Sequence, residues 1–184
     1  MAVEDRDDLF DDDYFERPRA RRGGGFDAQL LLEPLSVLPV RRPVLFSPSD
    51  TATEAMRAMQ NEHRGCVLVT DDGTASGKLT GIFTERDVLF RIVDQGKNPA
   101  TLSLGDVMTP DPEVLGEKSM IAYVLNKMSV GGFRHVPVVD DENRPVFVVS
   151  VRDVVEFLVE SFPREVLNLP AEKAAESQQT REGA

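Results

Sequence analysis

The central part of the chain contains two stretches in which apolar residues recur at i, i+3, i+4 and i+7, a spacing typical of an amphipathic helix. They comprise Ala52, Ala55, Met56 and Met59 in one stretch, and Ile121, Val124, Leu125 and Met128 in the other. The first stretch opens with Thr51-Ala52-Thr53-Glu54, a capping-box string whose hydroxyl and carboxylate satisfy backbone N–H groups at a helix start. We therefore predict two equivalent helices, the first beginning after Thr51.

Two runs rich in β-branched residues follow each of these helices. They cover 66–69 and 79–83 in the first part of the chain, and 136–139 and 145–149 in the second. Short apolar runs bounded by turn residues indicate strands. A second helical pattern follows each pair of runs, and its apolar positions are Val88, Leu89, Ile92 and Val93, and then Val154, Val155, Leu158, Val159 and Phe162. With a short strand before the first helix (44–46 and 113–115), each part is predicted to be a β-α-β-β-α unit.

The two units are copies of one pattern. A shift of 69 residues places Met59 on Met128, and further along a shift of 66 places Asp87 on Asp153. The three-residue change falls in the glycine-containing turn between the two β-branched runs of the first unit, where a length change is tolerated. Because one unit of about 60 residues buries little surface alone, we predict an α+β fold. In it two tandem repeats pack sheet to sheet with pseudo-twofold symmetry.

The repeats are predicted to span 34–99 and 100–163, between two polar tails. Residues 1–27 combine a run of aspartates, several arginines and Gly23-Gly24-Gly25, a composition that favours disorder. The alternative for this segment is an interaction tail, because a few aromatic residues lie among its acids. Residues 171–184 are polar and have no apolar face, so we predict a C-terminal tail there.

Composition and charge exclude several functions. The 184 residues have a formal net charge of -11, which argues against a protein that binds the phosphates of nucleic acids. Cys66 is the single cysteine and lies in an apolar run, which favours a small buried side chain over a catalytic thiol. No apolar stretch approaches the ~18 residues of a membrane span, and the acidic start is unlike a secretory signal. We expect a cytoplasmic protein that binds neither nucleic acid nor membrane.

Four short strings stand at fixed places in the repeats. Thr84-Glu85-Arg86-Asp87 and Ser150-Val151-Arg152-Asp153 close the third strand of each copy. Asp106-Val107-Met108-Thr109-Pro110 stands at the entry to the second copy, and His135-Val136-Pro137-Val138-Val139 in its middle. In this order they resemble the cystathionine-β-synthase (CBS) domain pair, or Bateman module, over about 130 of the 184 residues.

The resemblance implies a regulatory module. Such modules bind adenosine-containing ligands (AMP, ADP, ATP, S-adenosylmethionine or a cyclic dinucleotide) in clefts between the two repeats. They commonly pair into flat homodimers and report ligand occupancy to an effector, which for this chain is an unidentified partner protein.

The Thr84 and Ser150 strings have two interpretations. A hydroxyl three residues before an aspartate at a helix start is a capping box and needs no ligand. The same geometry also suits a nucleotide, because the helix start offers N–H donors to a phosphate and the carboxylate can accept from ribose hydroxyls. Arg86 and Arg152 either add charge-assisted bonds or are solvated surface residues. Since the string occurs twice at equivalent positions, we predict ligand contacts there.

The predicted ligand contacts are of three kinds: polar groups at these helix starts, apolar strand residues on which adenine stacks, and a basic pair just before the run 136–139 of the second copy. They are Thr84, Arg86, Asp87, Ser150, Arg152, Asp153, Leu45, Phe46, Val67, Val114, Leu115, Arg134, His135 and Val136. For the apolar members the alternative is an ordinary place in the core. Arg134 and His135 either contact the phosphate tail of a ligand or form a cross-strand pair at the surface.

The two copies differ near the predicted sites, so one functional site rather than two is an open alternative. Phe147 stands where the first copy has Gly81, and its ring either narrows the neighbouring cleft or packs on a helix. Arg41 and Arg42 either line a path for phosphate or belong to a solvated stretch. His63 and Arg64 are weaker candidates for the same role.

No pattern in the sequence indicates catalysis. Two separated histidines and one cysteine give no metal-ligand spacing, and neither a phosphate-loop string nor a nucleophile elbow occurs. We therefore predict a non-catalytic protein without cofactor or metal that senses an adenine nucleotide or a related ligand. The alternative is a structural module that dimerises and offers contact surfaces while its clefts stay empty.

Overall fold

A computed structural model describes residues 28–162, and its elements form two repeats with the predicted order. The first repeat contains β1 (Leu45–Phe46), α1 (Ala52–Asn61), β2 (Cys66–Thr70), β3 (Leu79–Thr84) and α2 (Glu85–Asp87), which continues as a π-helix over Val88–Val93. The connection contains a 3₁₀ turn (Pro99–Thr101), α3 (Leu104–Val107) and β4 (Thr109–Pro110). The second repeat contains β5 (Leu115–Gly116), α4 (Ile121–Gly131), β6 (His135–Val139), β7 (Pro145–Ser150) and α5 (Val151–Ser161). The predicted tails at 1–27 and 171–184 lie outside the described residues.

Each repeat builds its own small sheet, and the two sheets have matching topology. In the first sheet the order is β1-β2-β3-β4, with β1 parallel and β3 antiparallel to β2. In the second sheet the order is β5-β6-β7, with β5 parallel and β7 antiparallel to β6. The register shifts between Val69 and Thr70 in one sheet and between Val138 and Val139 in the other. These irregularities fall at positions related by the 69-residue repeat, which confirms that the two halves are copies of one fold.

Local sequence explains where the helices begin. The Thr51 hydroxyl accepts the N–H of Glu54 while the Glu54 carboxylate accepts the N–H of Thr51, so the predicted capping box is present at α1. α4 begins at Ile121, as its apolar spacing predicts. The second helix of the first repeat differs from a regular α-helix, because after Asp87 its backbone hydrogen bonds join residues five apart, as in a π-helix. In this arrangement Arg91 forms an ion pair with Asp87, one turn earlier.

The repeats meet along a buried seam between the sheets. Its core comprises Cys66, Leu68, Leu79, Ile82 and Val139, with Leu45, Val114 and Val148 packed against them. The seam therefore contains residues from both repeats, and apolar burial of this kind contributes about 25 cal/mol per Å². The two repeats form one body through this shared core, as the small size of each unit predicts.

The packing of the two cores crosses the predicted boundary between the repeats at residue 100. Leu35 and Leu38 belong to the predicted first repeat and precede β1, but they lie in the core of the second repeat, with Ile121 and Val124 of α4. Conversely, Leu104 and Val107 belong to the predicted second repeat and complete the core of the first. Each repeat is thus closed by a segment that lies outside its β-α-β-β-α unit.

Candidate functional site

Two cavities open at the seam, one beside the start of each repeat's last helix. The first, which we call the Ser150 cleft, has a volume of about 240 Å³. Its lining comprises Arg41, Arg42, Pro43, Val44, His63, Arg64, Gly65, Cys66, Leu68, Arg134, His135, Val148, Ser150, Val151, Arg152 and Asp153. Both repeats contribute to it, since residues 41–68 belong to the first and residues 134–153 to the second.

The second cavity, which we call the Thr84 cleft, has a volume of about 320 Å³. Its lining comprises Gly65, Ile82, Thr84, Glu85, Arg86, Asp87, Thr109, Asp111, Pro112, Glu113, Gly132, Phe133, Arg134, His135 and Pro137. The two clefts are related by the pseudo-twofold symmetry and share Gly65, Arg134 and His135. The volume of the Thr84 cleft lies at the lower end of the range for small-molecule sites, ~300–1,000 Å³, and that of the Ser150 cleft just below it.

A buried carboxylate stands at the helix start in each cleft. Asp87 is 6% exposed and Asp153 is 8% exposed. Oδ2 of Asp87 accepts from the N–H of Thr84 at 2.8 Å and from its hydroxyl at 2.7 Å. Oδ2 of Asp153 accepts from the N–H and the hydroxyl of Ser150, both at 2.7 Å. The capping boxes are therefore formed, and each uses one carboxylate oxygen.

The other oxygen of the carboxylate differs between the clefts. Oδ1 of Asp87 lies 3.1 Å from Nε of Arg91 and accepts a hydrogen bond from the Thr109 hydroxyl at 3.1 Å. Oδ1 of Asp153 has no hydrogen-bond partner in the part of the chain that the structure describes, although the side chain lines the Ser150 cleft. Asp153 thus keeps a free acceptor in its cleft, whereas Asp87 does not.

The clefts also carry opposite charge. The Ser150 cleft contains five arginines and one carboxylate, that of Asp153. The Thr84 cleft contains four carboxylates (Glu85, Asp87, Asp111 and Glu113) and two arginines, Arg86 and Arg134. This difference was not predicted from the sequence. The repeat alignment does contain it, since Asp111 of the second copy stands at the position of Arg42 in the first.

His135 lies on the wall between the two clefts. Burial lowers the pKa of its imidazole, and the nearby charges of Glu85 and Asp153 oppose that shift while Arg134 adds to it. A Cβ atom at Gly65 would come within 2.8 Å of the imidazole Cε1, so the ring occupies the space that a side chain would need there. The imidazole packed against the Gly65 backbone separates the two cavities.

Cys66 lies on the seam-facing side of β2 and also lines the Ser150 cleft. Burial raises the pKa of its thiol to about 12. Because the thiolate is the reactive form of cysteine, the side chain is unsuited to nucleophilic chemistry at neutral pH. The structure buries Cys66 as the apolar run predicts.

The apolar residues predicted as adenine contacts lie elsewhere. Val67 and Phe46 pack in the core of the first repeat, Val136 and Leu115 pack in that of the second, and Leu45 and Val114 pack at the seam. None of the six is among the lining residues of the two clefts. The apolar side chains that do line the clefts include Val44, Leu68 and Val148 in one, and Ile82, Phe133 and Pro137 in the other.

Strand periodicity explains this difference. Alternate residues of a strand share a face, so Val148 faces the same side of β7 as Ser150, and Leu68 the same side of β2 as Cys66. Val67 has the opposite parity and therefore faces the core. Counting back by two from Ser150 and from Thr84 would have found Val148 and Ile82 from the sequence.

Except for Arg86, which lines the Thr84 cleft, the basic candidates lie at the Ser150 cleft, including those considered weaker. Arg41, Arg42, His63 and Arg64 line it, and Arg134 and His135 line both clefts. The side chain of Arg152 forms an ion pair with Glu156 at 2.8 Å, although the residue borders the cleft. Phe147 is 8% exposed and lies in the core with Leu35 and Ile121, so its ring packs against the helix layer and leaves the cleft unchanged.

Neither metal binding nor membrane insertion is indicated within residues 28–162. Within that range no group of three or more histidine, cysteine, aspartate or glutamate side chains is arranged to hold a metal ion. None of the helices in the same range is long and apolar enough to cross a membrane.

Comparison with known proteins agrees with the two-repeat architecture. The family model described as "CBS domain" matches residues 36–94 and again 104–160. The chain is 32% identical over 118 residues to an uncharacterized protein of Methanopyrus kandleri, with 63% of this chain and 58% of that protein covered. It is 30% identical over 124 residues to the mitochondrial CBS domain-containing protein CBSX3 of Arabidopsis thaliana, with 66% and 59% covered. The chain thus spans less than two thirds of the length of these relatives.

Among solved structures, the chain is similar to the CBS domain pair of protein MJ0100, solved in complex with 5′-methylthioadenosine and S-adenosyl-L-methionine. The TM-score is 0.56 at 26% identity, and the alignment covers 65% of this chain and 94% of that one. The duplicated sheets, the paired capping boxes at the seam and the double family match lead to one conclusion. The chain belongs to the CBS domain family and carries two CBS domains in tandem.

Proposed function

We propose that this protein is a non-catalytic regulatory module that senses an adenosine-containing ligand at the seam between its two CBS domains. The observation that carries this proposal is the pair of buried carboxylates, Asp87 and Asp153, each at a helix start and each lining a cavity. The adenosine compounds bound to the CBS pair of protein MJ0100 support the same ligand class for this chain.

The chemistry of the Ser150 cleft fits a nucleoside. Oδ1 of Asp153 can accept from the two hydroxyls of a ribose, and the Ser150 hydroxyl lies beside it. The apolar side chains of Val44, Leu68 and Val148 offer a surface against which a purine can pack. Because α5 has 11 residues, its N-terminal N–H groups and dipole also favour a negative group at this end of the cleft.

A ligand at the seam is placed to change the relation between the two domains. Each cleft is lined by residues of both repeats, so an occupant contacts both at once. Such a ligand shifts the domain arrangement only as far as its affinities for the two arrangements differ. We propose that a separate effector protein reads this shift.

A homodimer is part of the proposal. The final helix of each repeat exposes apolar side chains at equivalent positions, Leu89 (59% exposed) in the first and Val155 (50%) in the second. Phe90 and Val93 lie beside Leu89 and are 56% and 62% exposed. Exposed apolar residues that cluster in this way are typical of an interaction surface, and a second copy of the chain fits it by symmetry.

Thermal unfolding with and without ligand tests the function. At 100 times its dissociation constant a ligand stabilises the native state by about 2.7 kcal/mol, so AMP, ADP, ATP or S-adenosylmethionine should raise the midpoint by several degrees. Asp153→Asn keeps an oxygen for the cap but removes the charge that receives ribose hydroxyls, so affinity should fall ~10- to 100-fold. If no adenosine compound raises the midpoint, or if Asp87→Ala with Asp153→Ala leaves the shift intact, the clefts serve no such ligand. The remaining function is then that of a structural, dimerising module.

A further inference from the structure

We infer that the two clefts differ in the ligand they accept, and that a nucleoside polyphosphate binds only in the Ser150 cleft, once per chain. This inference rests on the proposed function and assigns its ligand class. The observations that carry it are the charges lining each cleft, the free donors among them, and the unequal state of the two carboxylates.

Apart from Arg152, which pairs with Glu156, the arginines that line the Ser150 cleft keep unused donors. Arg41, Arg42 and Arg134 have no side-chain hydrogen bond or ion pair within residues 28–162. Nε of Arg64 is buried and has no partner among those residues, while its Nη2 reaches only the carbonyl oxygen of Arg42 at 3.5 Å. A buried N–H without a partner is costly. The oxygens of a phosphate chain are acceptors of the kind that this guanidinium lacks.

The Thr84 cleft offers the opposite environment. Four carboxylates line it, and although Asp87 pairs with Arg91 and Glu113 with Lys127, those of Glu85 and Asp111 have no ion pair within residues 28–162, so a phosphate chain there would meet negative charge. Like charges at short range raise the free energy of the bound state. The helix start is also different, since α2 has only three residues before the π-helix.

In the same cleft, the carboxylate of Asp87 that would receive ribose hydroxyls already has protein partners. Arg91 and Thr109 occupy Oδ1 of Asp87, and Arg91 also donates to the carbonyl oxygen of Met108. The repeat aligns Arg91 with Phe157 and Thr109 with Val40. Neither Phe157 nor Val40 has a side-chain donor, so Asp153 lacks the partners that Asp87 has. A nucleoside entering the Thr84 cleft must compete with Arg91, whereas one entering the Ser150 cleft does not.

His63 adds an independent observation. It follows α1 with a φ of 51°, and the repeat aligns it with Gly132, whose φ is 65°. A side chain in this left-handed region is disfavoured, and strained residues of this kind concentrate at functional sites. His63 keeps an imidazole at the rim of the Ser150 cleft at a position where glycine would be the more stable choice.

Isothermal titration of the full chain with ATP, ADP, AMP and adenosine tests the inference. We expect one ATP per chain, with affinity falling as phosphates are removed. The double variant Arg42→Gln with Arg64→Gln should weaken ATP binding ~10- to 100-fold and change adenosine binding less than about threefold. Arg86→Gln, a matched change in the Thr84 cleft, should leave ATP binding unchanged.

Two further variants separate binding from folding. His63→Gly relieves the positive φ, so it should raise the melting midpoint of the free protein while weakening ATP binding ~2- to 10-fold. Asp111→Asn with Glu113→Gln removes two charges from the Thr84 cleft and should allow a second, weaker ATP to bind. Asparagine tolerates the φ of 45° at position 111.

The outcomes distinguish this inference from the proposed function. Two equal ATP sites, or a loss of ATP binding in Arg86→Gln as large as in the arginine double variant, would overturn the inference and leave an adenosine sensor. The same holds if adenosine and ATP weaken equally in the double variant. If none of the four compounds binds, the proposed function fails and the inference fails with it.

Discussion

Leu79 and Asn143 exchange two hydrogen bonds across the seam between the repeats. The N–H of Leu79 donates to the carbonyl oxygen of Asn143 at 2.9 Å, and Nδ2 of Asn143 donates back to the carbonyl oxygen of Leu79 at 3.1 Å. Leu79 begins β3, while Asn143 lies in the turn between β6 and β7 with a φ of 62°. The turn of one repeat therefore fixes the start of a strand in the other.

The first prediction concerns this contact. Asn143→Gly keeps a residue suited to the positive φ and removes only the side-chain bond, so we expect a loss of about 0.5–1.5 kcal/mol. Asn143→Ala also places an unsuitable residue in the left-handed region, which adds about 1 kcal/mol. Chemical denaturation measures both values. Equal stability of the wild-type protein and the glycine variant would show that the bond across the seam contributes nothing.

The second prediction concerns the segment that precedes β1. Leu35 is fully buried in the core of the second repeat, so Leu35→Ala should destabilise the protein by about 2–5 kcal/mol. Leu32→Ala is the matched control, because Leu32 is 62% exposed and its truncation should cost less than about 0.5 kcal/mol. A Leu35→Ala variant as stable as the control would contradict the exchange of segments between the repeats.

The third prediction concerns pH. Burial lowers the pKa of His135 below its usual 6.5, so at pH values under 6.5 the unfolded chain binds a proton there that the folded protein does not. The free energy of unfolding is therefore undiminished by this group above pH 6.5. It decreases as the pH falls below that value, with a slope of at most about 1.4 kcal/mol per pH unit. Chemical denaturation measures the free energy of unfolding at pH 7.5 and at pH 5.5. The difference between the two values should be smaller for His135→Gln than for the wild type.

An equal difference in both proteins would mean that His135 titrates alike in the folded and unfolded states. Glu85 and Asp153 face the imidazole and favour its protonated form. Removing either charge, for example by Glu85→Gln, should therefore lower the pKa of His135 further, which NMR titration of the imidazole protons can follow.

The fourth prediction concerns self-association. If the apolar side chains around Leu89 form the dimer interface, Leu89→Glu should convert the dimer to a monomer in light scattering after size exclusion. Val130→Glu is the control, because Val130 is 79% exposed on α4 and lies on a different helix. A wild-type monomer, or a Leu89→Glu dimer, would exclude this interface.

The sequence predicted the repeated elements well because local physics decides them. The capping boxes at Thr51, Thr84 and Ser150 are present as the strings indicate. α1 and α4 begin where the apolar spacing begins. Local departures are the π-helix after Asp87, in a stretch whose apolar spacing is that of an ordinary helix, and β5, which lies at Leu115–Gly116 where a strand over 113–115 was predicted.

The apolar members of the site were less accessible to sequence reasoning. Val67 and Val136 were predicted as ligand contacts, but both lie on the face of their strand that packs in the core of its repeat. A one-residue step along a strand moves a side chain to the opposite face, so small errors of position there have large consequences. The positions of Asp87 and Asp153 are easier to predict, because the capping box at each helix start fixes where the carboxylate lies.

By itself, the sequence determined the duplication, the order of elements in each copy and the two helix starts that carry Asp87 and Asp153. These features depend on the spacing of neighbouring residues, which is the same in the chain and in the fold. The tertiary structure decided which core Leu35 joins, which side chains share a cleft, and that arginines of both halves collect in one cleft while carboxylates of both halves collect in the other. Those relations join residues far apart in the chain, and the physical reason is that only the packing of the two sheets brings them into contact.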